Sequence, residues 1–391
     1  MTEQLLESTT SYDLSSIDVD TLNSVACRTL NLEKGNVAEW HYQRIYGGAG
    51  DVGDVLSAVY RFAGTVHVED KQMDWSLILK VVGTTADDDD PTQPRYWKRE
   101  VLAYESGQLT DLPGGLKAPR FYGTFRFSEK VIGLWLEDLA DDIGAEWPLS
   151  HYCVVARHLG QFNGSFGAQS EPYPKPWYCQ DHYQHIRRAK QAGRKFDELR
   201  AAVDDPKTKR WFLHDDDMHG MLRLWEERSL FLNALDHPPQ TLVHGDAFRR
   251  NLFARKSASG QYETVAIDWT YVGTAAIGFE LASLVHGTLI FSEVGIADAR
   301  ELDQIVFEGY LSGLQDAGWQ GDPRQVRLGY TASSAMIFGL GYGAFKLNES
   351  TYPWLEQAFG LPIDKFMRLG AELNRFFLEL ADEARLQLDN R

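Results

Sequence analysis

The stretch His244-Gly245-Asp246-Ala247-Phe248-Arg249-Arg250-Asn251 holds an imidazole, an acid and an amide close together. The apolar-leaning triplet Thr241-Leu242-Val243 runs into it and Leu252-Phe253 runs out. Shortly afterwards a second apolar run ends in an acid, Val265-Ala266-Ile267-Asp268-Trp269. Each short β-like segment therefore delivers a carboxylate at a loop, with an amide between them. Phosphoryl transfer uses such a set. An aspartate takes or orients the proton of an acceptor hydroxyl, while an amide oxygen and a second carboxylate hold Mg²⁺ against nucleotide phosphates. Mg²⁺ is a hard cation that asks for oxygen and usually takes only one or two carboxylates from the protein. The plainer reading is a tight turn, with Gly245 supplying a backbone conformation that other residues avoid.

The spacing Asp-x-x-x-x-Asn, followed by an apolar strand and Asp, is the arrangement of a kinase catalytic loop. The residues before the aspartate are not the His-Arg of protein kinases. The stretch resembles the aminoglycoside phosphotransferase and choline kinase-like family, whose loop reads H-G-D-x-x-x-x-N and whose metal strand ends in I-D-W or a close variant. By order of motifs the resemblance covers residues 40–350. It implies an α+β, bilobal, protein-kinase-like fold with a small β-rich N-lobe and a larger, mainly helical C-lobe. It also implies ATP-dependent phosphorylation of a small-molecule hydroxyl, on an aminoglycoside, an amino alcohol or a secondary metabolite. Asp246 would be the base or the group that orients the acceptor, Asn251 and Asp268 would bind Mg²⁺, and His244 would be a structural hydrogen-bonder beneath the loop. After Asp268 the chain departs from the family. Where Gly-Asp-Pro and Asp-Leu-Ala are usual, it has Ala275-Ala276-Ile277 and then Gly278-Phe279-Glu280-Leu281-Ala282. Glu280 would replace the aspartate that braces the loop backbone, while the lost Asp-Pro puts the local loop shape, and not the metal ligands, in question.

Other elements must position these groups. Trp40–Ile45 and Ser57–Phe62 read as strands around Tyr46-Gly47-Gly48-Ala49-Gly50-Asp51-Val52-Gly53-Asp54. Gly47, Gly48 and Gly50 would bring backbone N–H groups to phosphate; the alternative is a flexible hairpin loop. Met73–Val82 reads as a strand with one lysine, Lys80, in its aliphatic half. A buried lysine is costly unless paired, which suggests a phosphate clamp held by a carboxylate. The alternative is an edge-strand lysine facing solvent. Residues 95–109 read as a helix with an approximate apolar stripe. Glu100 abuts that face and is the expected partner of Lys80, with Glu105 as the alternative. The acidic run Asp87–Asp90 reads as a solvated loop. Val131–Leu136 is a strong strand ending in Glu137-Asp138-Leu139. In the family this is the interlobe hinge, where backbone groups near Glu137 and Leu139 would read the adenine edge.

The expected organisation is a lead-in over 1–35 with a helix around Ser16–Leu30, a nucleotide-binding N-lobe over 36–136, and a C-lobe over 137–391. Helices are expected at 152–166, 182–203, 217–235, 282–290, 299–317, 323–345 and 363–386. The aromatic loop from Pro172 to Tyr178 either grips substrate or packs itself. Arg249 and Arg250 either neutralise phosphate or face solvent.

Composition sets bounds. A chain of 391 residues suggests two lobes, and 43% hydrophobic with 24% charged residues is ordinary for a globular protein with a substantial core. The net charge of −17 disfavours nucleic acid and anionic membrane; it suits cationic ligands, or simply solubility. Cys27, Cys153 and Cys179 are far apart, which points to neither a disulfide framework nor a zinc site. The acidic N-terminus lacks a signal pattern, and no apolar run approaches a membrane span, so a reducing, cytoplasmic setting is expected. A small-molecule substrate is the expected partner; the oligomeric state carries no expectation. Two other classes compete. One is a catalytically silent nucleotide-binding kinase-like regulator. The other is a metal-dependent hydrolase built on the His-Asp pair, against which the lack of further clustered His argues.

Overall fold

Period-two burial marks two of the strands in the computed structural model, which describes residues 12–45, 54–87, 89–167, 175–187, 190–340 and 349–389. Ala58, Tyr60 and Phe62 are buried on one strand, and Trp75, Leu77, Leu79 and Val81 on the next, because one face is covered and the other is wet. The chain forms two units, one of residues 1–111 with Ala118–Ala140, the other of Leu112–Lys117 with Asp141–Arg391.

The first unit contains α1 (Val19–Thr29), β1 (Asn36–Ile45), β2 (Val55–Val68), β3 (Lys71–Thr84) and α2 (Arg99–Glu105). After β4 (Leu116–Lys117), which belongs to the second unit, come β5 (Phe121–Ser128) and β6 (Val131–Glu137). The sheet is antiparallel in the order β1-β2-β3-β6-β5. The strand that carries Lys80 is therefore interior, with Val59 opposite on one side and Leu134 on the other. The edge-strand alternative falls.

The Asp18 side chain caps α1 by accepting from Thr21 N at 2.7 Å. Leu22, Val25 and Ala26 then pack with Phe62, Leu77 and Trp135 into one core. Each large apolar side chain so buried contributes about 1.5–3 kcal/mol. The lead-in helix is thus part of this unit's core. The helix expected over 95–109 shortens to seven residues. Arg99 is the reason. Its guanidinium is buried and donates to the carbonyls of Pro91, Gln93 and Pro94, holding the preceding chain in turns.

In the second unit, α3 (Leu149–Gly167) and α4 to α8 (Gln184–Arg187, Lys190–Ala201, Pro206–Lys209, Asp215–Glu226 and Arg228–Ala234) lead to β7 (Gln240–Val243). Then come β8 (Leu252–Lys256), β9 (Tyr262–Ala266) and β10 (Gly273–Ala276). The helices α9 (Phe279–Ile290), α10 (Ala299–Asp316), α11 (Pro323–Ser334), α12 (Tyr352–Phe359) and α13 (Ile363–Asp389) complete it. β7 pairs with β10, while β4, β9 and β8 form a small second sheet.

Helices α3 and α10 touch backbone to backbone. A Cβ on Gly313 would lie 2.0 Å from the Arg157 carbonyl oxygen, and one on Gly160 2.2 Å from that of Tyr310. Buried Asn163 on α3 donates to the Leu242 carbonyl at 2.7 Å and accepts from the Tyr310 hydroxyl at 2.6 Å, which ties β7 to both helices. Met221, Leu224, Phe231, Phe279, Leu328 and Ala381 share one core.

Two expected helices differ. The stretch 217–235 is two helices, α7 and α8, which meet at Glu227. The stretch 323–345 is α-helical only to Ser334 and becomes a π-helical turn over Ala335–Gly339; residues 341–348 lie outside the described residues. Helix α12 carried no sequence expectation. No helix among the described residues is long and apolar enough to cross a membrane.

Candidate active site

The pairing of β7 brings the chain to His244, and Gly245 turns it. Gly245 has φ +87°, and a Cβ there would lie 2.4 Å from the Tyr271 carbonyl oxygen. Backbone conformation and space both ask for glycine. Asp246 follows the turn. A single 3₁₀ turn, Arg249–Asn251, then leads into β8. In the β8–β9 register Leu252 faces Ala266, and Ile267 N donates to the Asn251 carbonyl at 2.9 Å. Asn251 and Asp268 therefore sit at the same end of this hairpin, although seventeen positions apart in the numbering.

Asn251 donates its side-chain N–H groups to the carbonyl and to the Oδ2 of Asp246, at 3.0 and 3.1 Å. Both partners are acceptors, so the orientation of the amide is set, and its oxygen is what remains to offer a cation. Asp268 adopts φ +63°, and its Oδ1 accepts from the Thr270 hydroxyl at 2.7 Å. These are oxygen donors, the kind Mg²⁺ takes. The described residues hold no cluster of three or more His, Cys, Asp or Glu that would cage a metal. A cation that completes its shell with phosphate and water fits this donor set.

The loop is held from beneath. Asp246 N donates to His244 Nδ1 at 3.2 Å, and His244 Nε2 lies 2.9 Å from the Ile267 carbonyl. Those partners select the neutral tautomer with its proton on Nε2. Fully buried Glu280 accepts the His244 backbone N–H. Burial pushes its pKa up to about 7, against the opposing pull of the His244 and Gly245 backbone N–H groups and the Asn163 side chain.

Arg249 does not face solvent. It is buried, donates to the Gly144 carbonyl at 2.7 Å, lies 3.3 Å from Asp141 Oδ2 and stacks 3.9 Å from the centre of the Trp147 ring. It is part of the loop's scaffold. Arg250 lies over the Phe291 ring, 3.5 Å from its centre, and 3.5 Å from Glu293.

In the first unit, Lys80 Nζ lies 2.5 Å from Glu100 Oε2, with both side chains buried. Glu105 instead accepts from the Thr124 hydroxyl at 3.2 Å and lies 3.8 Å from Arg126. Glu100 is the partner of the lysine. At the end of β6, Glu137 N donates to the Arg120 carbonyl at 2.9 Å and its carboxylate accepts from Arg120 N at 3.0 Å. Leu139 follows in irregular chain. Gly47, Gly48 and Gly50 lie outside the described residues.

Asp246 also stands on the wall of a 370 Å³ cavity in the second unit. Ser283, His286, Gly287 and Ile290 line it from one face of α9, at the i, i+3, i+4, i+7 spacing of a helix stripe. Phe248, Phe291, Phe338, Phe359, Trp211 and Trp354 supply most of the rest.

One sequence family, described as the phosphotransferase enzyme family, matches residues 115–324, more than half of the chain. The chain belongs to that family. No curated protein sequence matches it. Among solved structures, an amicoumacin kinase in complex with AMP-PNP, Ca²⁺ and Ami is similar at 15% identity. That match covers 85% of this chain and 88% of that one, with a TM-score of 0.51. A choline kinase from Cryptosporidium parvum Iowa II matches at 14% identity over 88% and 89% of the two chains, with a TM-score of 0.49. The spectinomycin phosphotransferase APH(9)-Ia, in complex with ADP and spectinomycin, matches at 13% over 91% and 99%, with a TM-score of 0.42. At 15% identity the likeness to the amicoumacin kinase speaks for the fold alone, which is α+β and kinase-like.

As a phosphotransferase, the chain departs from its family's pattern after Asp268. The longer Glu280 side chain nevertheless reaches the loop backbone at His244. Sequence reasoning missed the cavity wall. Trp177 and Tyr178 of the aromatic loop pack edge to face, 4.8 Å apart, and are not part of that wall, while residues 172–174 lie outside the described residues. The one available signal was His286, the single imidazole of the mostly apolar helix α9.

Proposed function

We propose that this phosphotransferase moves the γ-phosphoryl group of ATP to a hydroxyl of a small molecule. Asp246 accepts or orients the hydroxyl proton as the oxygen attacks phosphorus and the bond to ADP breaks. Asn251 and Asp268 would hold Mg²⁺, which would neutralise charge on the phosphates. Lys80, held by Glu100, would clamp the nucleotide phosphates, with Gly47, Gly48 and Gly50 as further phosphate contacts and the chain at Glu137–Leu139 as the adenine contact.

The observation that carries this reading is the double role of Asp246. Asp246 lines a cavity, and its carboxylate is restrained by the amide of Asn251. Positioning of that kind supplies much of the catalysis in phosphoryl transfer. The test is nucleotide-dependent incorporation of labelled phosphate into a panel of hydroxylated small molecules. Transfer that is lost in Asp246→Asn supports the reading. Binding of ATP with no transfer to any acceptor indicates the silent regulator instead.

A further inference from the structure

We infer that the acceptor is a largely apolar, uncharged molecule that brings a hydroxyl to Asp246, and not a polycation. This rests on the phosphotransferase reading above and names the substrate class of the same cavity.

The wall is the reason. Among the described residues that line it, Asp246 is the only carboxylate. A molecule with several ammonium groups would leave most of them against hydrocarbon, unpaired and desolvated, which is strongly unfavourable. The net charge of −17 attracts cations from a distance but adds no partner inside the cavity.

A single quaternary ammonium caged by rings is the next candidate, and the stacking of Phe338, Phe291 and Phe359 leaves it fewer ring faces. Such a cage needs open ring faces. His286 lies flat on Phe338, with centroids 3.8 Å apart and planes at 8°. The Arg250 guanidinium covers Phe291, and Phe359 stacks on Phe291 at 5.6 Å. Burial pushes the His286 pKa down, so its imidazole is neutral. Ile290, Ile337 and Leu355 add aliphatic surface. The π-helical turn over Ala335–Gly339, a feature common at functional sites, carries Ile337 and Phe338 into the wall. Trp354, 57% exposed, lines the cavity while reaching solvent. The volume of 370 Å³ falls in the range of ordinary small-molecule pockets, about 300–1,000 Å³.

The test uses the full chain without nucleotide, so that binding is read apart from transfer. Tryptophan fluorescence is titrated with 2-naphthylethanol, kanamycin and choline at low and high salt. The neutral alcohol is expected to bind with an affinity that salt does not weaken, and the two cations are not. Trp354→Ala should weaken the alcohol about tenfold with an unchanged Tm, because that side chain is mostly in solvent. Salt-sensitive binding of kanamycin or choline without binding of the alcohol overturns the inference. Transfer of phosphate to a hydroxyl of kanamycin and not to the alcohol overturns it too, and leaves the phosphotransferase reading standing. Binding of the alcohol with no transfer to any acceptor has the opposite meaning: the cavity assignment holds and the proposed reaction fails.

Discussion

The Asn251 side chain spans the Asp246 backbone and carboxylate at once, at 3.0 and 3.1 Å. One amide thus fixes the angle of one carboxylate and keeps its own oxygen for something else. Replacement of Asp246 by Asn removes the proton acceptor and sets two amides against each other. Turnover is expected to fall by about 10²–10⁴-fold, the usual contribution of a general base, with ATP affinity retained. Steady-state kinetics and nucleotide titration check both parts; near-wild-type turnover would exclude Asp246 as the base.

The oxygen donors of Asn251 and Asp268 predict a hard-cation requirement. Mg²⁺ or Mn²⁺ should support transfer and Zn²⁺ should do so poorly. Asp268→Asn should raise the Mg²⁺ concentration needed for half-maximal rate. Full activity in excess EDTA contradicts the assignment.

Lys80 and Glu100 are a buried pair in the interior of a sheet-and-helix unit. Lys80→Met removes the ammonium from a buried carboxylate and should cost about 3–5 kcal/mol, read by urea unfolding. Adding Glu100→Gln should restore much of that stability. It should not restore ATP affinity, because the proposed phosphate clamp is still missing. Recovery of both would make the pair purely structural.

Glu280 predicts a pH dependence. Its folded-state pKa, near 7, lies above the ordinary value of 4.5. The folded chain therefore holds this proton more tightly than the unfolded chain. Its contribution to stability is full below pH 4.5 and is lost as pH rises through 7. Glu280→Gln, which keeps an acceptor for the His244 N–H, should flatten the fall in Tm across that window. A fall identical to wild type would remove Glu280 from the account.

Gly245→Ala should distort the loop, since φ +87° strains any side chain and the new Cβ would meet the Tyr271 carbonyl oxygen at 2.4 Å. A backbone oxygen cannot swing aside as a side chain does. The expected cost is about 1–3 kcal/mol, with turnover reduced more than ATP affinity; a wild-type Tm and kcat would show the turn to be forgiving.

Local chemistry was legible in the amino-acid order. The Asp246-to-Asn251 spacing, the Ile267-Asp268-Trp269 strand end and the lone lysine of an aliphatic strand are set by short-range geometry, and a turn or a strand places such residues almost regardless of the rest of the chain. Glu100 is the expected partner over Glu105 because it abuts the apolar face of its helix and follows the family's Arg-Glu pattern, and the buried ion pair with Lys80 agrees with that expectation. Arg249 was not legible. An arginine in a loop reads the same whether it meets solvent or carbonyl oxygens, and only the fold brings Gly144, Asp141 and Trp147 to it.

The sequence by itself determined which polar groups the loop carries, the strand that carries Lys80, and the family; the sheet order, with β3 between β2 and β6, made that strand interior. Tertiary structure alone decided the cavity. Its wall comes from Trp211, Phe248, the α9 face, the turn at Ala335–Gly339, Trp354 and the start of α13, segments separated by long stretches of chain. Each of them reads in sequence as ordinary core, because hydrophobic burial is non-directional and proportional to area. A residue packed against a neighbouring helix and one facing an open cavity carry the same sequence signature. Only packing, with the gap it leaves beside Asp246, tells them apart.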